Sequence, residues 1–407
     1  MENKAIVPSY MEKFTCIGSK CEDTCCGKWK IFVEKDIYEQ FSQLSDEPVA
    51  NKFINSINPL NIDIQSYWYG TIRMLDDGLC PMLTETKLCS IQAELGEDYL
   101  PTICTTFPRT LNEVNGKHEL SFDLGCPEAA RIALLNENGI QFVEAEVDTK
   151  LFLGGKIDNI TNETETLSTY FWPIRVFTIQ TLQNRDYSFE DRLILLGLFS
   201  YELNSIVNQG KLNRIPKLIE DITHSIVNGE FKEYLTVIPI QWTSKLVLFN
   251  EFVKDKIEYG IGNQNYHECF INSLEGLNYT NNADPENVIK MMREANDQYL
   301  GAYLDEHEYI MENYAVSYVF NKLFPLTRCV SVAEEYQVLL LHCFFIQTHL
   351  SGLGSFTGGL TNEIAIRLIY SYTKNNERDE PFTTRILSKL KESGLDQMEQ
   401  LATIIKR

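Results

Sequence analysis

Thiolate sulfur is a soft ligand that suits zinc and iron–sulfur clusters, and eight of the eleven cysteines lie within the first 126 residues. Cys16, Cys21, Cys25 and Cys26 form C-x4-C-x3-C-C. Cys80 and Cys89 bracket C-P-M-L-x4-L-C-x-I, Cys104 opens C-T-T-F-P-R, and Cys126 sits in G-C-P. Four ligands saturate one structural zinc or one cubane cluster, so eight serve one cluster with spares, or two metal centres. The chain has no C-x2-C knuckle, and the vicinal Cys25-Cys26 pair is awkward for one tetrahedral ion. The expectation is therefore an iron–sulfur cluster of the 4Fe-4S kind, with zinc as the second choice. A buried free cysteine behaves as a small hydrophobe. That reading weighs more for Cys16, Cys126 and one of the vicinal pair, and it prevails for Cys269, Cys329 and Cys343.

Other chemical signatures are thin. Radical enzymes that use S-adenosylmethionine often present C-x3-C-x2-C; here Cys21-x3-Cys25 is followed by Lys28 at the third position, so that motif fails. There is no P-loop and no G-x-G-x-x-G. The glycine-rich stretch Gly352 to Gly359 reads as helix termination and turn, with an anion cradle at Gly358 to Asn362 as the lesser reading. His342 and His349 share one helix face and read as structural. Arg109, Arg175, Arg185 and Arg192 are candidates for a cofactor carboxylate, weighed against structural ion pairs, which are favoured.

The elements that must position these residues change character near residue 150. Trp29 to Val33 and Tyr67 to Met74 read as strands, and Asp36 to Leu44 and Ser90 to Leu100 as helices. Asn115-Gly116 between apolar flanks reads as a hairpin turn. Lys156 to Thr166 is polar and reads as a linker or turn. Later segments have helical period: a helix opening at Ser188, Glu286 to Tyr303, Tyr309 to Leu323, Ser331 to His349, Asn362 to Tyr372, and Thr383 to Glu392. The expected fold is mainly α. A small mixed cysteine-rich domain with short strands (1–150) precedes a helical domain (151–407).

A net charge of −21 over 407 residues excludes a nucleic-acid partner, since phosphate binding needs Lys and Arg. It would tolerate or attract a lysine-bearing one by steering, with acid that only provides solubility as the favoured reading. The N-terminus shows no apolar signal segment, and the apolar run Val338 to Ile346 is too short to span a bilayer. The expected location is cytoplasmic, off the membrane. Thiols there stay reduced and favour metal over disulfides. Oligomeric state is left open.

Together these segments resemble the flagellin lysine-N-methylase (FliB-like) family. The similarity runs through PSYMEKFTCIGSKCEDTCCGKW (8–29), LCPML (79–83), LCSIQAELGEDYLPTICTTFPR (88–109) and GCPEAAR (125–131). The cysteine spacing is also similar to that of a wider group of bacterial zinc or iron–sulfur cysteine-cluster proteins. In the helical half the resemblance rests on Ile174-Arg175, Leu182-Gln183-x-Arg185, Ser188-x3-Arg192-Leu193-x3-Gly197, Glu312-Asn-Tyr314 and Leu323-Phe-Pro325. It implies methyl transfer from S-adenosylmethionine to lysine ε-amines of flagellin, with a cysteine-held iron–sulfur cluster. A metal-stabilised adaptor without catalysis is the competing expectation, because no common methyltransferase cofactor fingerprint is present. No catalytic base can be chosen from the many Tyr and Glu residues.

Overall fold

The computed structural model describes residues 4–27, 30–44, 46–60, 67–86, 88–147, 151, 153–158, 166–280, 282–326 and 329–407. It is mainly α, with a small strand-bearing N-terminal region and a helical C-terminal part, as expected. Among the described residues, eight short strands are β1 (Lys4–Pro8), β2 (Phe32–Glu34), β3 (Ile57–Pro59), β4 (Trp68–Ile72), β5 (Arg109–Val114), β6 (Lys117–Phe122), β7 (Phe142–Glu146) and β8 (Leu153–Ile157). They build a five-stranded sheet, β7-β1-β6-β5-β8, and a three-stranded sheet, β2-β4-β3.

The β5–β6 hairpin turns at Asn115-Gly116, where Val114 pairs with Lys117. Both turn residues have positive φ (50° and 77°), as a two-residue type I′ turn requires. The small sheet and the helices Lys35–Gln43 and Pro48–Asn55 share a core built on Val33, Phe41, Phe53, Ile72 and Met82. The thiol-bearing loops hang from this core.

Several expectations need correction. The strand expected at Trp29 begins at Phe32, and Lys28 and Trp29 lie outside the described residues. Ser90 to Leu100 is not one helix: an α-turn at Ser90–Glu94 and a 3-10 turn at Glu97–Tyr99 are separated by Gly96 at φ 95°, a backbone geometry no α-helix contains. Lys156 and Ile157 are strand, because β8 pairs in parallel with β5; residues 159–165 of that expected linker lie outside the described ones. Strands β1, β3, β7 and β8 escaped notice because they are short and carry little alternation.

The helical half follows its caps. The Ser188 hydroxyl accepts from Asp191 N–H and opens Phe189–Asn208. The Ser331 hydroxyl accepts from Glu334 N–H and opens Val332–Thr357. By length and composition this last helix could cross a membrane, yet 94% of its most apolar stretch is buried inside the protein. It is the central core helix.

It also continues past His349 to Thr357, so Gly352 and Gly354 are helical and not a turn. The reason is a close crossing with the helix Gln264–Gly276. A Cβ on Gly276 would sit 2.0 Å from the Gly352 carbonyl oxygen, and one on Gly352 would sit 2.3 Å from that of Ser273. Only Gly358, at φ 76°, terminates the helix. The next helix is capped by Thr361, whose hydroxyl accepts from Ile364 N–H. Gly276→Ala is expected to force these backbones apart at a cost of about 1–3 kcal/mol, read as a lowered urea midpoint with unchanged slope.

Glu286 to Tyr303 is likewise interrupted: Pro285–Ala295 passes into a π-helical turn, Asn296–Gly301. A second π-helical turn, Thr373–Glu377, follows Asn362–Tyr372.

Both core histidines are structural. His342 Nδ1 lies 2.9 Å from Tyr372 Oη, and His349 sits between Ser273 Oγ (2.7 Å) and Tyr266 Oη (3.2 Å). Burial first, and then nearby Lys256, holds His349 at about 3 against an ordinary 6.5. Between those values the unfolded chain binds a proton that the folded one refuses. Stability therefore falls as pH drops from 6.5 toward 3, by about 1.4 kcal/mol per pH unit. His349→Gln is expected to flatten that dependence, measured as urea midpoints at pH 7 and pH 5.

Candidate metal site

All eight N-terminal cysteines line one cavity of about 180 Å³, more than ten times the space one water needs. Cys16 and Cys21 flank a 3-10 turn at Gly18–Lys20. Cys25 and Cys26 follow in the next loop, their sulfurs 3.8 Å apart. Cys80 enters after the Asp76-Asp77-Gly78 turn, where Asp77 Oδ1 accepts from Leu79 N–H. Cys89 and Cys126 are the cap residues of the helices Ser90–Glu94 and Pro127–Leu134. Cys104 lies within the short helix Thr102–Thr106.

Backbone hydrogen bonds lock these loops to one another. Cys80 N–H donates to the Cys26 carbonyl (2.9 Å), and Ser90 N–H to that of Met82 (2.8 Å). Thr102 N–H donates to Oε1 of the buried Glu34 (3.1 Å), anchoring the turn that carries Cys104. Pro, Phe, Ile and Leu side chains complete the wall, among them Phe14, Phe53, Ile91 and Phe107.

Cys25 is exposed by surface area because its surface faces the cavity. Electrostatic interactions run among Cys25, Cys26, Cys80, Cys89 and Cys104, and among Cys16, Cys21 and Cys126. Withdrawal from water pushes up the Cys21, Cys80 and Cys104 thiols and takes Cys126 to about 12. Cys25 moves the other way, to about 6, through its hydrogen bond with Cys26 first and, against burial, through Lys374 and Arg378. Cys26 rises correspondingly, through the same hydrogen bond and then burial.

Tetrahedral zinc with bonds of 2.3 Å needs sulfurs about 3.8 Å apart. The vicinal pair meets that spacing, but among the described residues no three or more His, Cys, Asp or Glu side chains stand close enough to hold an ion. The thiols surround a space and do not converge on a point. Eight soft donors share this wall, which would suit an iron–sulfur cluster or zinc.

Cys269 and Cys343 are buried in the helical core, and Cys329 is half-buried away from the cavity. Three of the four candidate arginines are held in ion pairs. Arg175 pairs with Glu119 (3.5 Å), and Arg185 with Glu312 (2.9 Å). Arg192 pairs with Glu312 (2.6 Å) and Glu308. Arg109 lies over the Phe14 ring at 5.4 Å. The side chains that sequence reasoning missed are Lys374 and Arg378, whose charges reach the thiols from the far end of the chain.

Residues 175–404 match the family described as FliB lysine N-methylase C-terminal domain. The chain belongs to that family. Among its relatives, the lysine-N-methylases of Salmonella typhimurium and Salmonella choleraesuis are each 30% identical over 146 residues. The match covers 36% of this chain and 36% of each of theirs, so it spans about a third of their length. The flagellar biosynthetic protein FliU of Salmonella muenchen is 33% identical over 122 residues, 30% of this chain and 71% of its own. No solved structure matches. The eight cavity cysteines precede the span matched to the FliB family, and the ion pairs of Arg185 and Arg192 with Glu312 lie inside it.

Proposed function

We propose that this protein transfers methyl groups from S-adenosylmethionine to lysine ε-amines of flagellin in the cytoplasm. We propose further that its eight clustered thiols hold an iron–sulfur cluster, with zinc as the alternative. The observation that carries the activity is the family match over 175–404, beside relatives named lysine-N-methylase. The name of the FliU relative supports a flagellar substrate, and the cysteine-lined cavity supports the metal group. In this reading residues 1–150 form the thiol-bearing unit and 151–407 the helical one.

Lysine attacks a sulfonium methyl only as the neutral amine, so its ordinary pKa of about 10.4 has to be lowered by desolvation or met by a base. The net charge of −21 draws a lysine-bearing surface toward the protein. An iron–sulfur group supplies a charged, redox-active centre when bound. The raised thiols are protonated at neutral pH without a cation, so loading releases protons and strengthens as pH rises.

The test is anaerobic purification, metal and sulfide analysis, and incubation of the loaded protein with S-adenosylmethionine and flagellin. Intact-mass spectra are expected to show flagellin gaining whole methyl increments. An unchanged mass from metal-loaded protein overturns the enzyme reading in favour of a metal-stabilised adaptor.

A further inference from the structure

The loop carrying Cys21, Cys25 and Cys26 is gripped from the helical half. Lys374, 4% exposed, lies on the π-helical turn Thr373–Glu377. Its ammonium donates to Asp23 Oδ2 (3.1 Å) and to the Thr24 carbonyl. Asn263 Nδ2 donates to the same Asp23 oxygen (2.8 Å). Four residues beyond Lys374, Arg378 pairs with Asp123 (3.0 Å) and lies over the Phe107 ring (5.1 Å). Asp123 Oδ1 in turn accepts from Gly125 N–H (2.7 Å), next to Cys126. The residues lining the cavity all lie between Phe14 and Pro127, so Lys374 and Arg378 act from behind the wall.

We infer that Lys374, acting through Asp23, and Arg378, acting through Asp123, are positioning residues that let the helical half hold the thiol loops in their metal-binding arrangement. This rests on the reading that the thiols hold metal. A buried ammonium donating to a part-buried carboxylate fixes the turn just before Cys25. Without that ammonium, Asp23 loses its cationic partner, keeps only the neutral donors Asn263 and Thr24 N–H, and holds the loop more weakly. Groups that orient metal ligands from behind cost about 10- to 100-fold in metal affinity when removed.

The test follows release of bound iron and zinc to an added chelator from the full-length protein. Lys374→Met and Asp23→Asn are each expected to release metal about 10- to 100-fold faster than the unaltered protein. Asp23→Asn strands the Lys374 ammonium in its turn, so the double variant, which leaves neither charge unpaired, serves if a single variant fails to fold. The double variant is expected to be no faster than the faster single one, because both remove one interaction. Lys406→Met breaks a partly buried pair with Asp191 elsewhere and is expected to leave release unchanged. Multiplying effects in the double variant, or equal acceleration by Lys406→Met, overturn the inference. If the unaltered protein holds metal and Lys374→Met and Asp23→Asn hold it equally well, the inference falls while the metal reading stands. If the unaltered protein takes up no metal, the metal reading falls and takes this one with it.

Discussion

Cys104→Ser is expected to abolish stable metal loading. Cys104 lies on the helix Thr102–Thr106 and lines the cavity with Cys25, Cys26, Cys80 and Cys89. Serine keeps the shape and removes the soft donor. Loss of an outer supporting group already weakens metal affinity about 10- to 100-fold, and loss of a ligand is expected to exceed about 100-fold. The measurement is metal per chain after anaerobic purification, with the visible spectrum. Where the cluster is iron–sulfur, the unaltered protein is brown and the variant bleached; where it is zinc, both are colourless and differ in zinc content. Because metal binding contributes to folding, the variant is also expected to unfold at lower temperature. Cys343→Ala, in the helical core, is expected to retain full metal content. Equal metal in Cys104→Ser and the unaltered protein would remove Cys104 from the ligand set.

The second large effect is expected at Glu312. It is 1% exposed and takes hydrogen bonds from Arg185 Nε and Nη2, both at 2.9 Å, and from Arg192 Nη1 at 2.6 Å. Arg192 is wholly buried and also donates to the Leu182 carbonyl (2.8 Å). Glu312→Gln keeps the shape and strands the Arg192 cation, whose remaining partner Glu308 is partly exposed. Removing one member of a buried pair costs about 3–5 kcal/mol, enough to threaten a fold of ordinary stability. Chemical denaturation checks it. A cost below about 1 kcal/mol would mean that this network behaves like a surface pair.

That network shows how far the sequence could be read. Arg185, Arg192 and Glu312 stand out in the segments that carry the family resemblance, and the structure joins them in one ion cluster. Local signals were legible wherever a short stretch fixes its own conformation: the caps at Ser188 and Ser331, and the turn at Asn115-Gly116. The cysteines were legible as a set because their type and density betray them, and all eight line one cavity. Features that depend on distant partners were not. Gly352 looks like a turn until Gly276 is seen against it. Lys374 looks like a solvated lysine in a polar stretch until Asp23 is found beneath it.

Lys374 follows Asp23 by 351 positions. At ordinary translation rates of about 5–20 residues per second, the cysteine loop leaves the ribosome on the order of 20–70 s before the lysine that secures it exists. During that interval the thiols are made but their loop is unbraced. A metal delivered before Lys374 emerges would meet an unbraced loop, and one delivered after it has docked would meet a braced one. In the proposed metal-binding reading, the order of synthesis favours loading only after Lys374 has folded into place, and the nascent thiols need a reducing environment until then.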